Sequence, residues 1–134
     1  MTHWPSHLLL CTTLALGCGT ALAQATPLLR CQLTYAGSTQ TLETGPVGNP
    51  YTVDSVDVGG RFRFKAVMVG DDRQLDYIKL YAYLETRRQP VLVQQATYLP
   101  PFAAGRTLTG RQFLYAGEVE RELQYDCHLQ GVTP

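Results

Sequence analysis

Apolar and polar residues alternate with a period of two along most of the chain, the signature of half-buried β-strands. Leu29, Cys31, Leu33 and Tyr35 fall on one face of a first strand, with Arg30, Gln32 and Thr34 on the other. Ala36-Gly37-Ser38 turns the chain, and Gly45-Pro46-Val47-Gly48-Asn49-Pro50 is so rich in breakers that it predicts a loop, neither helix nor strand. A strand is expected from Tyr51 to about Val58, its inward face ambiguous, followed by a tight hairpin at Gly59-Gly60. The next strand puts Phe62, Phe64, Ala66 and Met68 inside and Arg61, Arg63 and Lys65 outside. Beyond the turn Gly70-Asp71-Asp72-Arg73, Ile78, Leu80, Ala82 and Leu84 alternate with Tyr77, Lys79, Tyr81 and Tyr83.

Arg87-Arg88-Gln89-Pro90 then turns into an apolar strand from Val91 to Leu99, and Pro100 to Gly105 forms a stiff loop that holds Phe102 at or near the surface. A short strand from about Arg111 to Tyr115 leads through Gly117 to the last strand. There Val119, Leu123, Tyr125, Cys127 and Leu129 are expected inside, and Glu118, Glu120, Glu122, Gln124, Asp126 and His128 outside. Arg121 interrupts the inner row and is expected near a strand end or paired with an acid. No window carries a sustained helical stripe. The expectation is an all-β fold: a small antiparallel β-sandwich or barrel of about seven to eight strands with one disulfide.

That disulfide is expected because Cys11 and Cys18 leave with the leader, and the two cysteines that an exported chain then keeps, Cys31 and Cys127, both fall on inner rows. Export is read from the first residues. No Asp, Glu, Lys or Arg precedes Arg30, the stretch Leu8 to Leu16 is apolar, and Ala21-Leu22-Ala23 offers a small-x-small cleavage site. Residues 1–23 are thus expected to be a cleavable signal peptide, and 24–134 a single all-β domain, periplasmic or secreted, with no integral membrane span. The n-region lacks its usual Lys or Arg. Thr12, Thr13, Gly17, Gly19 and Thr20 dilute the stretch too much for a permanent anchor. The alternative is a lipoprotein acylated at Cys18, although Leu16 stands one place late for that motif. The 134 residues carry 11 basic and 11 acidic side chains, a balance that offers nothing to attract nucleic acid.

Candidate chemistry is sparse. His128 is the only histidine after the leader, so a multi-histidine metal site is excluded there, and no metal or cofactor is expected. Ser38 and Ser55 lie outside any nucleophile elbow. Acids cluster at Asp54 and Asp57, at Asp71, Asp72 and Asp76, and along Glu118, Glu120 and Glu122. They make a small carboxylate-dependent hydrolase one alternative, and a small-ligand carrier with a barrel cavity is another. The Asp71 to Asp76 spacing does not fit an EF-hand. Tyr77, Tyr81 and Tyr83, with Lys79 among them, form the more suggestive feature, because tyrosine combines a large apolar ring with a polar tip. The leading expectation is an exported non-enzymatic binding module for a protein or glycan partner, using Tyr77, Lys79, Tyr81, Tyr83 and Phe102. In size and compartment the layout is similar to the small periplasmic lysozyme inhibitors. Their Ser-Gly-x-x-Tyr loop is absent, Thr109-Gly110-Arg111-Gln112-Phe113 being the nearest segment.

Overall fold

In the computed structural model nine strands follow one another along residues 25–103 and 105–132, which, with positions 1, 19, 21 and 23, are the residues described. The signal-peptide expectation for residues 1–23 and the Cys18 alternative lie outside those two stretches. The strands are β1 (Leu28–Tyr35), β2 (Ser38–Thr44), β3 (Pro46–Val47), β4 (Val56–Val58), β5 (Phe62–Gly70), β6 (Leu75–Leu84), β7 (Val91–Tyr98), β8 (Gln112–Ala116) and β9 (Arg121–Gln130). One sheet has the order β2-β1-β9-β8. The other has the order β3-β5-β6-β7, with β4 also paired to β5. All pairs are antiparallel except β3 with β5. Among the described residues, no helix is long and apolar enough to cross a membrane.

The inner rows fall where alternation places them. Leu29, Cys31 and Leu33 of β1 and Leu123, Tyr125, Cys127 and Leu129 of β9 are buried in the first sheet. They share one apolar core with Phe62, Phe64, Ala66 and Met68 of β5 and Ile78, Leu80 and Ala82 of β6. Two aromatic pairs join the layers: Tyr35 meets Phe62 edge-on at 5.5 Å, and Phe64 meets Tyr125 at 5.0 Å. The Tyr125 hydroxyl donates to Gln94 Oε1 at 2.9 Å, so this buried phenol is not left without a partner.

The disulfide lies within the first sheet. Cys31 and Cys127 face each other in the β1–β9 register, with a Cα separation of 4.0 Å. The Cys127 N–H donates to Thr109 Oγ1 and its carbonyl accepts from the Leu108 N–H, both on the side away from β1. The pair therefore occupies a non-hydrogen-bonded site, where antiparallel strands approach most closely. At the other end of β1, the hairpin into β2 turns on Ala36 and Gly37 alone, with φ of 50° and 80°. Two positive φ values suit the twist of a two-residue hairpin.

Three expectations need correction. Asn49 Oδ1 accepts from the Tyr51 N–H, and Pro50 opens a 3-10 turn, Pro50–Thr52. A capping side chain and a proline with preset φ favour that turn over extension, so the strand expected from Tyr51 shrinks to β4. The breaker-rich loop also contributes β3 as a short edge strand, a position that tolerates Pro46; with β2, for which no strand was expected, this takes the seven strands laid out from the sequence to nine. Finally, Val119 points out, 69% exposed, because residues Gly117 to Glu120 form a turn closed by the Glu120 N–H on the Gly117 carbonyl. Glu118 and Glu120 share that turn, and β9 begins only at Arg121. Arg121 sits at a strand end as expected, but its partner is the Tyr35 hydroxyl at 2.8 Å, not an acid.

Burial pushes the Tyr125 phenol up from 10.0 to about 12, with the nearby Tyr98 adding to the effect. Burial raises Tyr98 and Tyr83 in the same direction. A folded-state pKa above the unfolded value leaves stability intact below pH 10.0. Above that the unfolded chain releases the proton while the folded one retains it, so stability falls until the folded pKa of about 12 is reached. Urea midpoints should decline across this window, and Tyr125→Phe should flatten the decline. A midpoint constant up to pH of about 12 in the parent protein would contradict the assignment.

Candidate functional site

The outward row of β6 carries Tyr77, Lys79, Tyr81 and Tyr83, while Ile78, Leu80 and Ala82 between them are buried. Strand pairing sets their neighbours. On β5, Val69 stands opposite Tyr77, Val67 opposite Lys79, Lys65 opposite Tyr81 and Arg63 opposite Tyr83. On β7, Thr97 stands opposite Lys79 and Gln95 opposite Tyr81, and the Gln95 amide donates to Thr97 Oγ1 at 2.7 Å.

The 3-10 turn adds a wall. Pro50 and Tyr51 border the same concavity, of about 230 Å³, as the four β6 side chains, Lys65 and Val67. Val67 lies on the outer face of β5 yet is buried, and it supplies an apolar floor. Tyr51 is 92% exposed.

The electrostatics of the face are one-sided. Lys65 Nζ lies 5.9 Å from the Tyr81 ring centroid, and Lys79 Nζ lies 5.3 Å from that of Tyr77, both within cation–π range. Tyr81 and Tyr83 stack with centroids 6.3 Å apart and planes 18° from parallel. Burial pushes the Tyr83 phenol up, with Tyr81 adding to the shift. No carboxylate lines the concavity. Arg63, next along β5, is already paired with Glu85 at 3.2 Å and bonded to Ser55. The ion pairs among the described residues are Arg30–Glu43, Arg63–Glu85 and His128–Asp126, so neither lysine has an acidic partner there. Lys65 and Lys79 are the only lysines in the sequence, and four of its eight tyrosines meet here.

Phe102 is elsewhere. It is half-buried against the core, in the loop after a cis Pro100-Pro101 bond, and borders a separate concavity of about 430 Å³ with Pro27, Leu75 and Arg73. Of the five residues read from the sequence as binding candidates, the fold brings Tyr77, Lys79, Tyr81 and Tyr83 together and leaves Phe102 apart. Tyr51, Lys65 and Val67 join the face unanticipated. The outward parity of Lys65 was a usable signal. The position of Tyr51 was not, since it depends on the Asn49 cap.

The acids have a different character. Asp71 accepts from the Arg73 and Gln74 N–H groups at 2.8 and 2.9 Å, and these bonds hold its carboxyl below the usual range. Hydrogen bonds from Tyr115 and Gln124 lower Glu122 in the same way, and that bond raises Tyr115. A general acid needs the opposite shift. His128 stays on the outer side of β9, 3.3 Å from Asp126. Among the described residues no group of three or more His, Cys, Asp or Glu side chains is placed to hold a metal ion. Comparison of the chain with family models, curated proteins and solved structures gives no match.

Proposed function

We propose that the chain is an exported, non-enzymatic binding module that holds its partner across the outer face of β5, β6 and β7. The observation that carries this reading is the gathering of Tyr51, Tyr77, Tyr81 and Tyr83 with both lysines around one concavity that no carboxylate lines. Half-exposed tyrosines give a large contact area at little entropic cost, as recognition surfaces require. The Cys31–Cys127 disulfide supports export, because such bonds persist in oxidising compartments.

The test compares Tyr81→Ala with Glu120→Ala in capture of a partner from envelope extract by the immobilised domain. Tyr81 is central to the face, and Glu120 lies in the exposed turn before β9. Truncating a central aromatic anchor should cost about 2 kcal/mol, roughly thirty-fold in affinity, while Glu120→Ala should bind as the parent does. Unchanged binding by Tyr81→Ala together with lost binding by Glu120→Ala, both variants being folded, would sink the reading.

A further inference from the structure

We infer that the partner held by this face is an acidic polysaccharide, whose sugar rings lie on the tyrosines while Lys65 and Lys79 clamp one anionic substituent. The inference rests on the binding-module reading and adds the ligand class to it. Its first support is charge. The sequence is balanced at 11 basic and 11 acidic side chains, yet its only two lysines border one concavity with no carboxylate in the lining. The register places them as diagonal neighbours, since Lys65 faces Tyr81 and Val67 faces Lys79. Diagonal positions lie about 7–8 Å apart, close enough for two long side chains to converge on one anion.

With no acid to meet, both ammonium groups rest over tyrosine rings, at 5.9 and 5.3 Å from the centroids. A lysine ammonium is a compact charge on a flexible stem, so it can swing from a ring to an incoming anion without rearranging the sheet. The aromatic row suits a chain of rings. From Tyr77 to Tyr83 it covers roughly 20 Å at about 3.3 Å per residue, room for several sugars. Tyr51 stands beside it, 92% exposed.

The backbone decides between a glycan and an acidic peptide. Extended peptides bind sheets chiefly by adding a strand to a free edge, through main-chain hydrogen bonds. Here β6 is paired on both sides, to β5 and β7, and β5 is paired to β6 on one side and to β3 and β4 on the other. The free edge of this sheet is β7, which adds no residue to the lining of the concavity, so the lining offers only side chains: flat apolar rings with hydroxyl tips, and two cations. A pyranose, with an apolar C–H face and a rim of hydroxyls, is the complementary shape.

The experiment is affinity electrophoresis of the domain through gels carrying a polyuronate, neutral dextran or polyglutamate, at low and raised salt. The expected result is strong retardation by the polyuronate, weakened by salt, with weaker retardation by dextran and by polyglutamate. Lys65→Gln with Lys79→Gln should weaken polyuronate binding at least ten-fold and leave dextran binding unchanged. Tyr81→Ala should weaken both. Both lysines lack an acidic partner among the described residues, so the double variant should melt with the parent; loss of polyuronate binding in a folded variant is then a loss of contacts. Polyglutamate bound as tightly as polyuronate would overturn the inference in favour of an acidic peptide. Equal, lysine-independent binding of dextran and polyuronate would overturn the anionic clamp. Retardation by none of the three would overturn the ligand class, while the comparison of Tyr81→Ala with Glu120→Ala on envelope capture would still judge the face itself.

Discussion

Replacing Cys31 and Cys127 together by alanine should lower stability by about 4 to 5 kcal/mol and leave a β-rich circular dichroism spectrum at low temperature. The magnitude comes from chain entropy. The two cysteines are 96 residues apart in sequence, so the bond closes nearly the whole domain and removes a large set of unfolded conformations. The spectrum should survive because the disulfide does not make the β1–β9 pair. Eight residue pairs hold those strands in register, Cys31 with Cys127 being one of them. With a urea m-value of about 1–2 kcal/mol/M, the midpoint should fall by about 2 to 5 M. A disordered chain at low temperature would mean that the apolar core cannot hold the sheets together alone. A shift below about 0.5 M would mean that closing the 96-residue loop adds little to stability.

Phe64→Ala should cost about 3 to 5 kcal/mol, against less than about 0.5 for Phe113→Ala. The contrast is one of location, since both residues sit in strands. Phe64 is fully buried in β5, between partners Val56 and Ala82, and its ring reaches Tyr125 of the opposite sheet at 5.0 Å. Truncation leaves a void between two layers whose backbones are tied by hydrogen bonds and cannot easily close on it. It also removes the aromatic partner of Tyr125, an interaction of about 0.5–1.5 kcal/mol beyond buried area. Phe113 of β8 is 53% exposed and leaves little behind. Denaturant titration of the two variants measures both values, and equal losses would mean that the sheets do not meet where Phe64 joins them.

The inner rows were legible because each sheet buries one face, and a period of two then maps directly onto inside and outside. Leu29, Cys31 and Leu33 illustrate this, as do Phe62, Phe64 and Met68. Lys79 settled the direction of β6, since an unpaired lysine is seldom buried. The failures share a cause. Val119 continues the alternation perfectly well, but the turn that ejects it is set by how Ala116 must come round to meet Arg121. Val67 reads as an outward residue, yet it is buried, on a strand that the distant 3-10 turn Pro50–Thr52 approaches. Half of the candidate face was visible as one strand's stripe. The other half depended on strand pairing and on a cap, which periodicity does not encode.

The pairing of β1 with β9 also determines how the protein meets mechanical load. The two strands run antiparallel, with Leu28 opposite Gln130, so a pull on the flanking chain at both sides would unzip them one pair at a time. After Leu28–Gln130, Leu29–Leu129 and Arg30–His128, the rupture reaches Cys31–Cys127. There the tension passes through the sulfur–sulfur bond, and everything from Gln32 to Asp126 lies off the line of force. In an oxidising medium the aromatic face would keep its shape under a pull that frays both ends; once the bond is reduced, the same pull would run on through β9 and dismantle the first sheet.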